Sequence, residues 1–573
     1  MRLFRLAMLT ALACSPRAAP VVRVTAPPPE VPATRAPAPT VETAAPESPS
    51  ADDVPVPDTS PKRVDFRGGA PVVPVRLMEG NNEVTLASRG KLRFELGGPK
   101  PATVEGSPGA TWRLRLLRGT PASIVARIQL AEVAFNDKLG LAASQREWAD
   151  AGVKTRPHVL GGVYGVAGKV IDNRRYLVLV DAPPAPAAEL APVQAELLQR
   201  HGVRTTLFET TQHPAHVTAE LFDALGTRVG EAVDTVTVTS VDGAPIDVKR
   251  VEFGVGYDFH NFEDRSYRGA IQVSADRLGK LAVVNVIGLE DLLKGLVPSE
   301  IFARAHPEAL KAQAVTARGE VLAKVGLKHT ADAYFLCTEQ HCAVYKGMSG
   351  EAASTNAAVD ATVGEMAFGT DGKLVDAVYS AVCGGHTENN EIVWGGVPNP
   401  SLRGRPDTLT AVAGPSPKDD VKAFLATEAP HACKLSSLAQ LTKYRWERRF
   451  TAKEVDEKLA SSGVGRVFAL SVTERGVSGR ARLLAISGET GATQLRGELV
   501  IRRTFGMLNS AMFDVRAERD AKGRPLAWVF TGGGWGHGVG LCQTGAIGRA
   551  EAGHSYRQIL DHYFNGAQVT RVY

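Results

Sequence analysis

Glu300 lies between two helical patterns, with apolar Val297, Ile301 and Phe302 close by. Burial among such neighbours disfavours the charged form of a carboxyl and raises its pKa, as a proton donor working near neutrality requires. Two cations follow it, Lys311 and Arg318, seven residues apart on one face of the second helical pattern. Buried cations need anionic partners. They either snorkel and pair with structural carboxylates or meet an anionic ligand. An arginine aimed at Glu300 would oppose the raised pKa, so Arg318 is expected to face substrate or another acid. Further on, Cys337, His341 and Cys342 fall within six positions. They read as half of a zinc site that His329, Cys383 or His386 would complete. The competing reading is a Cys337–Cys342 disulfide, favoured by an oxidising compartment.

The elements that must position these groups centre on 289–324. Pro307 suits the first position of a helix and Glu308 suits its first turn. At 100° per residue, Leu310, Ala314, Ala317 and Val321 share one face, and Lys311, Val315, Arg318 and Leu322 another about 90° away. Gln313, Glu320 and Lys324 form the one clearly polar stripe. A helix so apolar on most sides is buried. Before it, alternation in 72–77, 83–86 and 92–96 predicts strands in a small β region, 64–111. Residues 112–232 read as an α+β module in which a strand, a helix, two strands, a helix and a strand alternate. The last domain, 233–573, opens on strands that lead into the helix pair. The expected class is α+β: a mixed, β-rich domain around a central buried helix pair, preceded by smaller modules. A polar insertion with Cys433 spans 401–459. Near the end, five glycines around Trp535 and His537 imply a tight irregular path. His537 would be either a hydrogen-bonding floor of a cleft or a structural pin. Two further helices follow, the last with a core stripe of Tyr556, Ile559, Leu560 and Tyr563.

With 573 residues the chain has room for several cores. Its 66 basic and 61 acidic residues leave a net charge of +5 without a basic run, which argues against nucleic acid as a partner. No apolar run reaches membrane-spanning length. Arg2 and Arg5 before the apolar 6–13 predict a signal peptide, residues 1–13, and export to the periplasm or cell envelope. Cys14 then reads as a lipidation site, or as incidental in a plainly secreted protein. Residues 14–63, dense in Pro and Ala, are expected to be a disordered spacer carrying the domains away from such an anchor.

The string LEDLLKGLVPSE followed by PEALKAQAVTAR resembles the central signature of the SpoIID family, cell-wall enzymes first known from endosporulation. The segment VYSAVCGGHTENNEIVW resembles the family block YSSTSGGYTENSEDVW, and GGGWGHGVGLCQTGAIGRA is a second strong match. The resemblance implies a peptidoglycan lytic transglycosylase that cleaves the MurNAc–GlcNAc bond and leaves 1,6-anhydroMurNAc ends, with Glu300 as general acid and base and Arg318 as the family's helix arginine. It implies substrate contacts at Lys311, Gln313, Tyr379, Ser380, Gly384, Gly385, Thr387, Glu388, Trp535 and His537. Two departures, Cys383 for a serine and His386 for a tyrosine, add metal-ligand types. Some relatives hold zinc beside the cleft through Cys and His residues of the 329–342 segment, so a structural zinc is expected and no cofactor for the chemistry. The preferred strands would be free of stem peptides, their lactyl carboxylates met by Arg318 or Lys311. The 112–232 order is similar to that of the SPOR glycan-binding fold. The alternative role is a non-catalytic wall-binding enhancer of an N-acetylmuramoyl-L-alanine amidase. A zinc hydrolase is disfavoured by the absence of H-E-x-x-H.

Overall fold

The computed structural model describes residues 22–23 and 64–573, except 167, 202, 204, 256, 257, 339–341, 343, 412 and 413. The expected signal peptide, Cys14, nearly all of the spacer and His341 lie outside the described residues. The architecture is α+β and strand-rich. Among the described residues no helix is long and apolar enough to cross a membrane.

Two antiparallel sheets dominate the first half. One runs in the order Asp65–Arg67, Ala70–Asn81, Leu281–Gly288, Ala270–Ala275, Thr235–Ser240, Leu92–Leu96, Ala102–Glu105, and the short strand Leu336–Cys337 adds to Ala70–Asn81 in parallel. The other runs Arg228–Val233, His216–Phe222, Thr111–Thr120, Glu83–Ala87, Ile246–Phe253, Asn261–Tyr267. Strict alternation of buried and exposed residues in Leu92–Leu96 turns Leu92, Phe94 and Leu96 to the core. The expected separate β region at 64–111 is corrected here. Leu92–Leu96 pairs with Thr235–Ser240, and Ala70–Asn81 pairs with Leu281–Gly288. Short hairpins are marginal alone and gain stability by joining a wider sheet.

The expected βαββαβ order occurs in narrower bounds than 112–232, with an added hairpin, Val163–Val166 and Lys169–Asp172, between its second and third strands. Ser123–Ala134, α1 (Lys138–Asp150), Thr155–Leu160, Arg175–Val180, α2 (Ala187–His201) and Thr206–His213 form one unit. Its four strands are antiparallel, and its own core holds Ile128, Leu141, Trp148, Tyr176 and Leu197. Residues 112–120 and 216–232 belong instead to the large second sheet, where Thr111–Thr120 pairs with His216–Phe222. The module is thus inserted between two paired strands.

Strand Leu281–Gly288 runs directly into α3 (Leu289–Glu300), which buries Leu289, Leu292, Leu293, Leu296 and Val297. Gly295 sits inside this helix despite the ~1 kcal/mol its type costs there. A Cβ at that position would lie 2.6 Å from the Tyr345 ring and 2.8 Å from the Gly347 carbonyl, so close packing requires its absence. Helix α4 (Pro307–Ala323) starts with His306 capping the Glu308 N–H, and 13 of its 17 residues are buried. Its many alanines let α5 (Ala353–Ala361), strand Glu365–Phe368, α6 (Gln543–Glu551) and α7 (Tyr556–Tyr563) all pack against it.

The expected 401–459 insertion proves to be part of a larger one. Arg445–Thr451, Pro525–Gly533 and Phe513–Arg519 form one sheet, and Val467–Arg475, Ala481–Gly488 and Gly491–Arg496 pair in another. They enclose a separate core of Trp446, Ile501, Phe505, Phe513, Trp528 and Phe530. The chain then returns as Leu541–Cys542, parallel to Tyr379–Ser380, so the two glycine-rich blocks lie side by side.

Candidate active site

Glu300 is the last residue of α3, where helix carbonyls lack intrahelical partners. Its own carbonyl accepts from Gln543 Nε2 at 2.9 Å, and the same amide reaches Gln313 Oε1 at 3.2 Å. The Glu300 side chain stays partly open to solvent though surrounded mostly by protein, and makes no ion pair among the described residues. The Tyr379 phenol stands beside this carboxyl and beside that of Glu320. Burial, and then the charge of Glu320, push the Glu300 pKa up to about 7, while Tyr379 and Lys324 pull the other way. Lys324 is ion-paired to Glu320 one helical turn earlier.

Gln313, Glu320 and Lys324 therefore border the acid. This is the polar stripe of α4, turned inward toward the end of α3 rather than out to bulk water. Gln313 has no exposed surface, and its Nε2 has no partner among the described residues. Ser380 Oγ, next to Tyr379, is likewise unpartnered. Sequence reasoning noted the stripe but assigned no role to Glu320 or Lys324, and it passed over Gln543. The available signal was the stripe itself, three polar residues on an otherwise apolar helix.

Arg318 is placed elsewhere. It is wholly buried and grips Glu290 through Nε (2.8 Å) and Nη2 (2.6 Å), while Nη1 donates to the Glu365 carbonyl at 2.9 Å. Tyr573 and the Gly364 N–H also bind Glu290. Of the two partners expected for Arg318, substrate or another acid, it takes the acid, and its expected catalytic place is corrected: the guanidinium is sealed. Lys311 pairs with Glu308 at 2.7 Å and lies over the Tyr556 ring, with 28% of its side chain exposed.

Most of the glycine-rich block serves packing. A Cβ on Gly384 would strike the Gly533–Gly534 backbone at 2.8 Å, and one on Gly385 the His431 ring at 2.6 Å. These glycines admit protein, where close approach to a ligand was expected. Thr387 exchanges hydrogen bonds with the Arg405 backbone. Glu388, wholly buried, accepts from the backbones of Asn389, Val477 and Ser478 and from the Ser478 hydroxyl at 2.6 Å. It ties the block to the insertion. His537 receives the Val539 N–H at Nδ1 (3.1 Å), so Nε2 carries the proton and donates to the Tyr379 carbonyl at 2.8 Å. Burial holds its pKa down to about 3, and it acts as the pin behind Tyr379. Lys443 lies 4.8 Å above the Trp535 ring.

Cys337, Cys342 and His329 come together: His329 Nε2 is 3.1 Å and Cys337 Sγ 3.0 Å from Cys342 Sγ. His329 Nδ1 faces Asp332 at 3.2 Å, and Asp332 is held by Arg277. Such a carboxylate behind a histidine is the usual support of a metal ligand. Cys383 and His386 are not part of this cluster. His386 Nδ1 faces the Thr387 carbonyl at 2.7 Å, and Cys383 joins a different group of side chains.

The end of α3 that carries the acid, the polar face of α4 and the strand after α5 all fall within the stretch that is similar to the SpoIID family. Residues 277–368 match the family described as Stage II sporulation protein, and residues 388–540 match a domain of unknown function, DUF8618. An uncharacterized protein of Brachyspira hyodysenteriae is 29% identical over 289 residues, 50% of this chain and 68% of that one. The amidase enhancer of Bacillus subtilis is 28% identical over 298 residues, 48% of this chain and 40% of its own length. The Stage II sporulation protein D of the same organism is 27% identical over 319 residues, 52% of this chain and 79% of that protein.

Proposed function

We propose that the protein is an exported peptidoglycan lytic transglycosylase with Glu300 as its single general acid and base. The observation that carries this reading is the half-buried Glu300 at the end of α3, in no ion pair among the described residues, whose carboxyl pKa is pushed up to about 7 by burial. Half-protonated near neutrality, it can both give and take a proton within one turnover. Glu300 donates its proton to the glycosidic oxygen as the bond to C1 of the muramic acid breaks. The carboxylate left behind takes the proton of that sugar's C6 hydroxyl, whose oxygen closes on C1 to form the 1,6-anhydro ring, and the acid is regenerated. Tyr379 stands beside the carboxyl, and burial, then the charge of Glu320, keep it protonated at higher pH than an isolated glutamate. An internal nucleophile removes the need for the second catalytic carboxylate of ordinary glycosidases.

His329, Cys337 and Cys342 fit zinc, as a structural ion bound by two thiolates and an imidazole beside α4. The ion would hold the loop and supply none of the chemistry. With Arg318 sealed, the lactyl carboxylates of peptide-free strands fall to Lys311 alone of the two cations.

The second reading, a wall-bound enhancer of a cell-wall amidase, is favoured by the likeness to the Bacillus subtilis amidase enhancer. Mass spectrometry of products from peptide-free glycan strands separates the two. Anhydro ends, one water lighter than hydrolysis products and absent with Glu300→Gln, support the transglycosylase. Strands left intact by the wild-type protein overturn it in favour of the enhancer.

A further inference from the structure

Three cysteines far apart in the chain, Cys383, Cys433 and Cys542, meet Asp407 in the interior, and none of the four has exposed surface. Their ligand atoms all lie within 4.8 Å of one another. Cys383 Sγ is 3.7 Å from Cys433 Sγ and 3.2 Å from Asp407 Oδ2. A tetrahedral zinc with Zn–S of about 2.3 Å and Zn–O of about 2.1 Å has S···S edges of about 3.8 Å and S···O edges of about 3.6 Å. The Cys383–Cys433 separation matches such an edge, the Cys383–Asp407 separation is somewhat shorter, and every other pair lies within 4.8 Å, so small side-chain movements bring the four atoms to such a tetrahedron.

The surroundings are built for negative charge. Cys542 caps α6, and its sulfur receives the N–H groups of Gly545 (3.3 Å) and Cys383 (3.1 Å), which favours thiolate. Asp407 divides its two oxygens. Oδ1 is held by the Tyr563 hydroxyl at 2.6 Å and by Arg549 at 3.1 Å, while Oδ2 turns to the cysteines and receives the Cys433 N–H at 3.3 Å. A carboxylate ligand oriented from behind looks like this. Three thiolates and one carboxylate carry four negative charges, of which a divalent ion cancels two. Two buried arginines, Arg549 and Arg480, and the half-buried Arg445 stand ready for the remainder. Arg549 touches Asp407, Arg480 donates to the Cys383 carbonyl at 3.0 Å, and Arg445 donates to the Gly384 carbonyl at 2.8 Å. Arg445 makes its hydrogen bonds only to backbone carbonyls, so its charge has no direct carboxylate partner among the described residues.

We infer that Cys383, Cys433, Cys542 and Asp407 bind one structural zinc ion, separate from the 329–342 cluster. It joins three pieces of chain: the segment just after strand Tyr379–Ser380, the inserted part that carries Asp407 and Cys433, and the start of α6. Gln543, the residue after Cys542, holds the Glu300 carbonyl. The ion therefore fixes the backbone on which the acid rests, whatever reaction the acid performs.

The test uses the full chain with both Cys337 and Cys342 changed to serine, which leaves this cluster as the thiol-rich site. Metal analysis is expected to find one zinc per chain, and X-ray absorption a shell of three sulfurs and one lighter atom. Adding Cys383→Ser and Cys433→Ser should remove the zinc. Should the multiple variants fail to fold, peptide mapping of the wild-type chain without reduction decides. Free thiols at all three positions, reactive to alkylation only after chelation, support the site. A Cys383–Cys433 disulfide overturns it, as does a Cys337→Ser, Cys342→Ser protein that folds without metal.

Discussion

The side-chain amide of Gln543 donates to the main-chain carbonyl of Glu300 at 2.9 Å across 243 positions of sequence. It closes a helix end that would otherwise leave a carbonyl unmet, and ties the acid to the glycine-rich block behind it. Replacing Gln543 by Ala leaves that carbonyl and Gln313 short of a donor, at ~1–3 kcal/mol for an unsatisfied buried group. Expected is a lower melting temperature together with a fall in kcat larger than any rise in KM. Unchanged kcat would mean that the bond is structural only.

Glu300→Gln keeps the shape and removes the proton. General acid–base groups contribute roughly 10²–10⁴-fold, so formation of anhydro ends should fall by at least that range. Its stability carries a second signature. The folded pKa is raised to about 7 against an unfolded value of about 4.3. The stability that the proton brings is fully present below the unfolded value and is lost as pH rises through about 7. Glutamine cannot ionise, so the melting temperature of the variant relative to wild type should be higher at pH 8 than at pH 5. An offset equal at both pH values would contradict the desolvated acid.

The neighbours of Glu300 should move the alkaline limb of the pH profile in opposite directions. Glu320→Gln removes a like charge and should shift that limb to lower pH. Tyr379→Phe and Lys324→Met remove influences that lower the pKa and should shift it to higher pH. Rates measured between pH 5 and 9 decide, and shifts of one common sign would rule out this electrostatic arrangement.

Arg318→Ala is expected to act on folding. Breaking a buried pair by deleting one partner costs ~3–5 kcal/mol, here by stranding Glu290. Denaturation should show that loss, with Glu290→Gln alone also destabilising and the double variant costing less than the sum. An Arg318→Ala protein of wild-type stability but raised KM would return the arginine to the cleft.

The local order of the chain was enough to expose the helix pair. Pro307, Glu308 and the 3.6-residue spacing of small apolar side chains make α4 a buried helix by themselves. The strand alternation in 92–96 and the βαββαβ order of the inserted module were legible for the same reason: period and turn chemistry are local. The acid at Glu300 was marked by its family-like string and its apolar flanks. What surrounds it was not, because those contacts join residues hundreds of positions apart. Periodicity shows that Gln313, Glu320 and Lys324 share a face of α4, yet only packing against α3 decides that this face borders the acid. In the same way Lys311 and Arg318 are equivalent cations in sequence. The fold gives one a place over Tyr556 and the other a sealed bond to Glu290, because Glu290 on α3 lies opposite Arg318 once the helices cross. Cysteine spacing exposed the 329–342 cluster, whose residues are near neighbours in the chain. Cys383, Cys433 and Cys542 read as three unrelated thiols until two glycine-rich strands and an inserted domain bring them within reach of Asp407. Sequence carries the short-range pattern that makes each element, whereas charge pairing and ligand sets depend on distances through space that only the assembled core defines.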